Sequence, residues 1–180
     1  MTTEKNIFEF EIEGESLLSH RFNGLKEEKE SRELPIREQI EKRIYRNDDG
    51  VIYAPAEWVR GAMITAFVSR AGAKGGKAKK LEVSPRIMVT PPELPFSQQE
   101  YTIDQRSVPS GAGKLTVRDI CYRPHFKDWK ITGRITTTLD ATEKSMREMF
   151  EVAGVDVGIG SNRINGFGRF TVTSFKKVTG

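Results

Sequence analysis

The stretch from Gly158 to Phe170, GIGSNRINGFGRF, places four glycines within eleven residues and adds two asparagines and two arginines. Glycine adopts positive φ angles and lets the backbone approach another surface closely. Successive backbone N–H groups in such a loop bind anions, most often phosphate, and arginine adds a forked, permanently charged donor. Because residues 169–176 then read as a strand, we predict an anion-binding loop held by ordered structure. The alternative, a tight turn that only packs, remains open.

A helix is predicted immediately before this loop. The segment Asp140-Ala141-Thr142-Glu143 has the spacing of a capping box, and Gly154 is predicted to end the helix at its C′ position. The apolar residues expected on its buried face are Met146, Met149, Phe150 and Ala153.

Three strands and a second helix are predicted closer to the N-terminus. Ile7 to Glu13 and Trp129 to Leu139 alternate apolar and polar residues, as half-buried strands do, and a strand is also predicted from Leu81 to Val89. Pro55 suits the first turn of a helix, because it has no N–H to leave unpaired there. The apolar residues that follow at helical spacing are Val59, Ala62, Met63, Ala66 and Phe67. Gly72 and the Gly75-Gly76 pair are expected to end this helix near Arg70.

The resulting element order is βαββαβ, which predicts a ferredoxin-like (RRM-like) α+β fold with both helices on one face of a four-stranded antiparallel sheet. We expect residues 1–180 to form one domain with two insertions. Residues 19–47 are highly charged and poorly patterned, and residues 36–44 are predicted as either a short helix or a strand. Residues 91–124 are rich in proline and are predicted to form a projecting, thumb-like hairpin.

Composition excludes several classes of function. The chain of 180 residues has one cysteine, Cys121, and two histidines, so neither a disulfide framework nor a metal site with ligand spacing is predicted. No apolar run approaches the length of a membrane span, and no secretory leader is recognised. We therefore expect a cytoplasmic protein with no cofactor and no membrane partner. The formal net charge is +4, so the distribution of basic residues matters more than their excess.

Basic residues and one histidine are the other candidate site residues. The run Lys74, Lys77, Lys79 and Lys80 has no acid among it, and it is either a solvated loop or a flexible phosphate clamp. His20 follows the first strand and is a candidate general base for attack by an RNA 2′-hydroxyl. The alternative for His20 is an ordinary loop histidine.

Three segments resemble motifs of the CRISPR-associated RAMP superfamily. Residues 50–62, GVIYAPAEWVRGA, resemble the sequence that begins the first helix of RAMP proteins. Residues 158–170, which end in GFGRF, resemble the glycine-rich loop of that superfamily. Residues 103–106, IDQR, are similar to the segment that precedes the thumb hairpin of its backbone subunits. The three motifs occur in the family's order.

The resemblance implies a subunit that binds guide RNA by its phosphate backbone and stacks along it with copies of itself or with other CRISPR-type subunits. The target strand is a further possible partner, since the thumb would insert between guide and target nucleotides. The residues expected to contact RNA are Arg60, Lys74, Lys77, Lys79, Lys80, Arg106, Gly158, Gly160, Ser161, Asn162, Arg163, Asn165, Gly166, Gly168 and Arg169.

The sequence also departs from the family pattern. Residues 54–57, Ala-Pro-Ala-Glu, replace the usual Pro-Gly-Ser-Ser, and Glu57 would oppose a phosphate there. Target-cleaving backbone subunits carry an aspartate after the first strand, and no aspartate occurs between Ser19 and Arg46, so cleavage of that kind is not expected. The acidic outer face of the first strand argues against RNA binding on the sheet.

Three hypotheses follow from the sequence. The first is an RNA-binding RAMP-type subunit without catalytic residues. The second is a metal-independent, guide-processing endoribonuclease that uses His20. The third is a scaffold protein that keeps the fold but does not bind RNA.

Overall fold

A mainly antiparallel sheet forms the centre of the computed structural model, which describes residues 5–110 and 117–178. The strands are β1 (Asn6–Leu18), β2 (Tyr53–Pro55), β3 (Ile87–Thr90), β4 (Glu93–Pro95), β5 (Thr102–Ser110), β6 (Val117–Thr137) and β7 (Thr171–Val178). The helices are α1 (Leu25–Ser31), α2 (Ile36–Glu41), α3 (Ala56–Arg70), α4 (Gly72–Val83) and α5 (Glu143–Val152). The predicted α+β class is therefore confirmed.

The main sheet runs in the order β3-β6-β1-β7, and every neighbouring pair is antiparallel. Asn6 pairs with Thr137 at one end of β1, and Leu18 pairs with His125 at the other. The first part of β6, from Val117 to His125, pairs with β5. Strands β2 and β4 form a separate two-stranded sheet.

The predicted alternation of β1 is confirmed. Phe8, Phe10 and Ile12 are buried in a core shared with α3 and α5, and Phe10 meets Phe150 of α5 edge to face. The opposite face of β1 is charged and ion-paired with β6. Glu9 pairs with Arg134 at 2.7 Å, and Lys130 lies 3.3 Å from Glu11 and 3.5 Å from Glu13.

Residues 72–83 correct one expectation. They form α4, whereas the sequence predicted that the glycines would end helical structure near Arg70. The predicted strand from Leu81 to Val89 is therefore shorter and begins only at Ile87, as β3. Gly72 has a φ of +70° and turns the chain from α3 into α4. Gly76 is buried, and a Cβ there would lie 3.2 Å from Val68, so glycine allows α4 to pack closely on α3.

The ends of α5 also differ from prediction. Thr142 caps the helix by accepting a hydrogen bond from Ser145 N at 3.2 Å, and the predicted box that starts at Asp140 does not form. After α5 the chain makes a wider, π-helical turn from Ala153 to Val157 and leaves it at Gly158. Gly154 is therefore not the C′ residue. A Cβ on Gly154 would lie 2.2 Å from Phe170 O, so this glycine serves close packing.

Both predicted insertions contain regular structure. Residues 19–47 hold α1 and α2, so the predicted segment 36–44 begins as a helix, which ends at Glu41, and it contains no strand. In the second insertion β5 and β6 form a hairpin with register from Thr102–His125 to Ser110–Val117. Residues 111–116 of the predicted thumb-like hairpin lie outside the described residues.

None of the helices in the described part of the chain is long and apolar enough to cross a membrane.

Candidate nucleic-acid interface

The glycine-rich loop is fastened to the end of β1 by backbone hydrogen bonds. Ser161 N donates to Leu18 O at 2.7 Å, and Gly168 N donates to Ser16 O at 2.7 Å. Ile159 N donates to Gly168 O at 2.9 Å, which closes the loop on itself. The loop therefore has a fixed base on the sheet.

The glycines of this loop divide into two kinds. Gly168 has a φ of +73°, and a Cβ would lie 1.7 Å from Ile159 O; Gly160 has a φ of +77°, and a Cβ would lie 2.7 Å from Leu18 O. These two are required where backbones meet. Gly166 also has a positive φ, +87°, but nothing lies within 4 Å of its Cβ position. The packing interpretation therefore holds at the base of the loop, and anion binding at its open tip stays a prediction.

The tip of the loop exposes polar groups on a tight turn. Arg163 and Asn165 are exposed, and the side chain of Asn165 donates to Asn162 Oδ1 at 2.7 Å. Asn162 has a left-handed backbone with a φ of +59°. At the end of the loop, the Arg169 Nη1 atom is buried and has no hydrogen-bond partner among the described residues. Arg169 as a whole is half-buried, and a buried guanidinium nitrogen without a partner favours a hydrogen-bond acceptor such as an anion, because leaving it unsatisfied costs free energy.

Strand β5 of the hairpin contacts the glycine-rich loop through Arg106 and Phe167. The Arg106 guanidinium carbon lies 4.5 Å from the centre of the Phe167 ring, and the carboxylate of Asp104 accepts from Arg106 Nε at 2.9 Å. The residues 103–106 and the loop were separate motifs in the sequence. They form one surface in the structure.

A histidine completes the contact between strand, hairpin and loop. His125 Nε2 lies 2.7 Å from Ser16 Oγ, and its ring meets Phe167 edge to face with centroids 5.9 Å apart. Burial lowers the pKa of His125 below its ordinary value, and Asp104 opposes this shift. His125 was not a predicted site residue, because no spacing in the sequence relates it to Ser16 or Phe167.

Arg60 occupies a different part of the molecule and binds within the fold. Its Nε donates to Ile87 O at 2.9 Å, and its Nη2 donates to Ser84 O. The half-buried guanidinium thereby secures the connection from α4 to β3.

The predicted lysines lie on α4. Lys77 and Lys80 are exposed, and Lys79 Nζ pairs with Glu82 at 3.1 Å. The backbone of Lys74 belongs to α4, and its side chain lies outside the description.

These placements divide the predicted RNA-binding residues into two groups. Ile87, which receives the Arg60 bond, pairs with Thr137 at the Asn6 end of the sheet. The glycine-rich loop is bonded to the Leu18 end. Strand β1 spans 13 residues, so at about 3.3 Å per residue its ends lie roughly 40 Å apart. Arg106 and the loop residues share one end, while Arg60 and the α4 lysines are near the other.

No known family's sequence model matches the chain, and no curated protein matches it. Solved structures do match. A chain from the cryo-EM structure of the type III-B Cmr-beta bound to cognate target RNA superposes with a TM-score of 0.62 at 11% identity, over 99% of this chain and 62% of that chain. Cmr6 from Pyrococcus furiosus superposes with a TM-score of 0.51 at 12% identity, over 97% of this chain and 100% of that chain.

The chain therefore shares its fold with these two Cmr structures. The resemblance inferred from three sequence motifs is therefore confirmed at the level of the fold. The chain spans 62% of the length of the Cmr-beta chain that it matches.

The start of α3, where the sequence departs from the RAMP pattern, is partly closed to ligands. Ala56 N donates to Pro92 O at 2.9 Å, so this N–H is not available to a phosphate. Glu57 in the first turn is exposed and presents a negative charge beside it. The glycine-rich loop is therefore a more favourable site for an anion than the start of α3.

His20 lies in the packing between the first insertion and the hairpin. Its Nε2 is 3.3 Å from Glu28 Oε1. Burial lowers the pKa of His20, the charge of Arg43 lowers it further, and Glu28 opposes both. The neutral form of His20 is therefore favoured inside this polar contact, and its predicted catalytic role stays a prediction.

Arg43 is the centre of that contact, and the sequence did not reveal it. The residue is 5% exposed. It donates to Tyr122 O of the hairpin and lies 3.4 Å from Glu28 Oε2 of α1. The first insertion thus contacts the hairpin at Cys121 and Tyr122, and the glycine-rich loop contacts it at Arg106 and His125.

Proposed function

We propose that this protein is an RNA-binding, RAMP-type subunit of a cytoplasmic CRISPR-type ribonucleoprotein. It holds single-stranded guide RNA by the phosphate backbone at the junction of the hairpin and the glycine-rich loop. The observation that carries the proposal is the contact of Arg106 with Phe167, because it unites the two RAMP-like motifs into one basic surface.

The charge of this junction supports a nucleic-acid ligand. Residues 158–170 include Arg163 and Arg169 and no acidic residue, and Arg106 lies against the loop. Arginine, asparagine and serine side chains with backbone N–H groups are the usual partners of phosphate and sugar, and such contacts read no base sequence. We therefore expect binding to be independent of RNA sequence.

The sheet face opposite the helices is a poor RNA surface. A conventional RRM stacks bases on aromatic residues there. In this protein the corresponding positions of β1 are Glu9, Glu11 and Glu13, and they form ion pairs with Arg134 and Lys130. RNA that entered this face would break those pairs and meet the glutamates directly.

We assign the core to the ferredoxin-like topology. Supporting this assignment, α3 lies between β1 and β3 in the chain, α5 lies between β6 and β7, and the sheet order is β3-β6-β1-β7. The β5–β6 hairpin corresponds in this proposal to the thumb, which inserts between guide and target strands. Other copies of this chain or other CRISPR-type subunits are the proposed protein partners.

The α4 end of the sheet is proposed as a second phosphate contact. Lys77 and Lys80 are exposed there, and the roughly 40 Å that separates it from the loop means that one RNA segment reaches both sites only by running along the protein. Arg60 contributes to this end through its backbone contacts rather than as a free cation.

Binding to several single-stranded RNAs of unrelated sequence tests this function. We expect similar affinities for all sequences and a steep loss of affinity between about 50 and 200 mM salt. Absent or salt-insensitive binding would contradict the proposal. A repeat-derived hairpin RNA incubated in EDTA provides the second arm. Cleavage that is lost in His20→Ala would instead support the endoribonuclease hypothesis.

A further inference from the structure

The tip of the glycine-rich loop presents Ile164 to solvent with 93% of its surface exposed. The other exposed large apolar residues in the described ranges lie between 43% (Ile36) and 72% (Leu81). A single exposed apolar residue is common and indicates nothing by itself. Ile164 is distinguished by the rigidity of the backbone that carries it and by the charge that surrounds it.

Three hydrogen bonds fix the turn around Ile164. Asn165 N donates to Asn162 O at 3.0 Å, Gly166 N donates to Arg163 O at 3.0 Å, and Asn165 Nδ2 donates to Asn162 Oδ1 at 2.7 Å. The turn has a left-handed residue at each end, Asn162 and Gly166. Isoleucine is also restricted at χ1. The side chain is therefore presented in a nearly fixed direction, and it loses little conformational entropy when it binds.

The surroundings of Ile164 favour a polyanion over an apolar protein pocket. Arg163 precedes it and is exposed, Asn165 follows it and is exposed, and the loop contains no acidic residue. Burying Ile164 in an apolar protein pocket would also desolvate the charge of Arg163, which is costly without a partner. An RNA strand provides both an apolar space between bases and a phosphate beside it.

We propose that Ile164 acts as an apolar wedge that enters between two adjacent bases of the single-stranded RNA held by the loop. Isoleucine is among the side chains that enter base steps and unstack them, and Arg163 contacts the phosphate that flanks the opened step. This inference rests on the proposed function, because it requires RNA at the loop. It adds the place where the strand is unstacked and the residue responsible.

An oligoadenylate labelled at regular intervals with 2-aminopurine tests the wedge, because unstacking this base raises its fluorescence. Regular labelling makes the result independent of the binding register. The intact wild-type protein raises the fluorescence at saturation. Ile164→Ser removes most of that rise and weakens binding roughly 5-fold, in the range found when one stacking contact is lost. Ile164→Leu retains both properties, and so does Val155→Ser, a control at an apolar residue 69% exposed outside the turn.

The outcomes separate this inference from the proposed function. Arg163→Ala weakens binding but keeps the fluorescence rise at saturating protein. Wild-type binding without a rise, or a full rise with Ile164→Ser, overturns the wedge and leaves RNA binding standing. Unchanged RNA binding by Ile164→Ser together with lost self-association also overturns it, and assigns the residue to a protein interface. No RNA binding by the wild type overturns both proposals.

Discussion

The guanidinium carbon of Arg106 lies 4.5 Å from the centre of the Phe167 ring, and this contact joins the hairpin to the glycine-rich loop. A cation over an aromatic face is attracted by the ring quadrupole. The carboxylate of Asp104 lies 2.9 Å from Arg106 Nε. A side-chain contact therefore holds the segment 103–106 of the hairpin against the glycine-rich loop.

The free energy of this contact is measurable by a double-mutant cycle of Arg106→Ala and Phe167→Ala in urea denaturation. We expect a coupling energy of about 0.5–1 kcal/mol, because the pair is partly exposed. Strictly additive effects of the two substitutions would show that the contact does not connect hairpin and loop.

Gly168 and Gly166 form a matched pair for the two roles of glycine in the loop. Gly166→Ala adds only backbone strain at positive φ, about 1–2 kcal/mol, since nothing lies near its Cβ position. Gly168→Ala adds a Cβ 1.7 Å from Ile159 O, and we expect a loss of about 4 kcal/mol in the free energy of unfolding. Thermal and urea denaturation of both variants provide the comparison. Equal losses would mean that the loop is not closed on itself at Ile159.

Arg43 is expected to be essential for attaching the first insertion to the hairpin. Arg43→Ala removes the Arg43 donor to Tyr122 O and leaves Glu28 with His20 as its remaining partner, and we expect a loss of about 3 kcal/mol in the free energy of unfolding. Lys26→Ala is the control, because Lys26 is 90% exposed in a pair with Glu30 at 3.9 Å and contributes about 0.5 kcal/mol or less. A small effect for Arg43→Ala would contradict the described packing of the insertion.

The two histidines predict how stability depends on pH. Burial lowers the folded-state pKa of His20 and of His125 below the ordinary value of 6.5, so the unfolded chain binds protons that the folded chain does not. Their contribution to the free energy of unfolding is therefore lost as pH falls from 6.5 toward the folded-state pKa. We expect His20→Gln to make the pH dependence shallower in that window. An unchanged slope in urea denaturation at several pH values would show that His20 is not buried as described.

Several features were predictable because they depend on local pattern. The alternation of β1 and the one-sided apolar residues of α3 and α5 are consequences of strand and helix periodicity. The order of the motifs was sufficient to indicate the RAMP-type fold. Asp140 and Thr142 both suit the N-cap of α5, and local pattern alone does not decide between two polar residues separated by one position.

The features that were missed depend on contacts between distant residues. Helix α4 forms despite the poor helix propensity of glycine, and it packs on α3 with Gly76 close to Val68. Arg43 looked solvent-exposed among other charges, yet its partner Tyr122 lies on the hairpin. Likewise, only the contacts of Gly160 with Leu18 and of Gly168 with Ile159 distinguish these packing glycines from Gly166.

The division of basic residues into two groups predicts unequal effects on RNA binding. At the loop, Arg106→Ala is expected to weaken binding more than Lys80→Ala at the far end of the sheet, because Arg106 also positions the loop through Phe167. Fluorescence anisotropy with labelled single-stranded RNA measures both. A dominant effect of Lys80→Ala would move the principal RNA contact to α4.

The salt dependence of RNA binding by Arg163→Ala tests the central claim most directly. Arg163 is exposed at the tip of the loop, so its loss should weaken binding to all RNA sequences alike and reduce the slope of log Kd against log salt by about 1. Arg147→Ala is the control, since Arg147 lies on α5 in a helical ion pair with Glu151 and should leave the slope unchanged. A slope unaffected by Arg163→Ala, or reduced equally by both substitutions, would contradict phosphate binding at the glycine-rich loop.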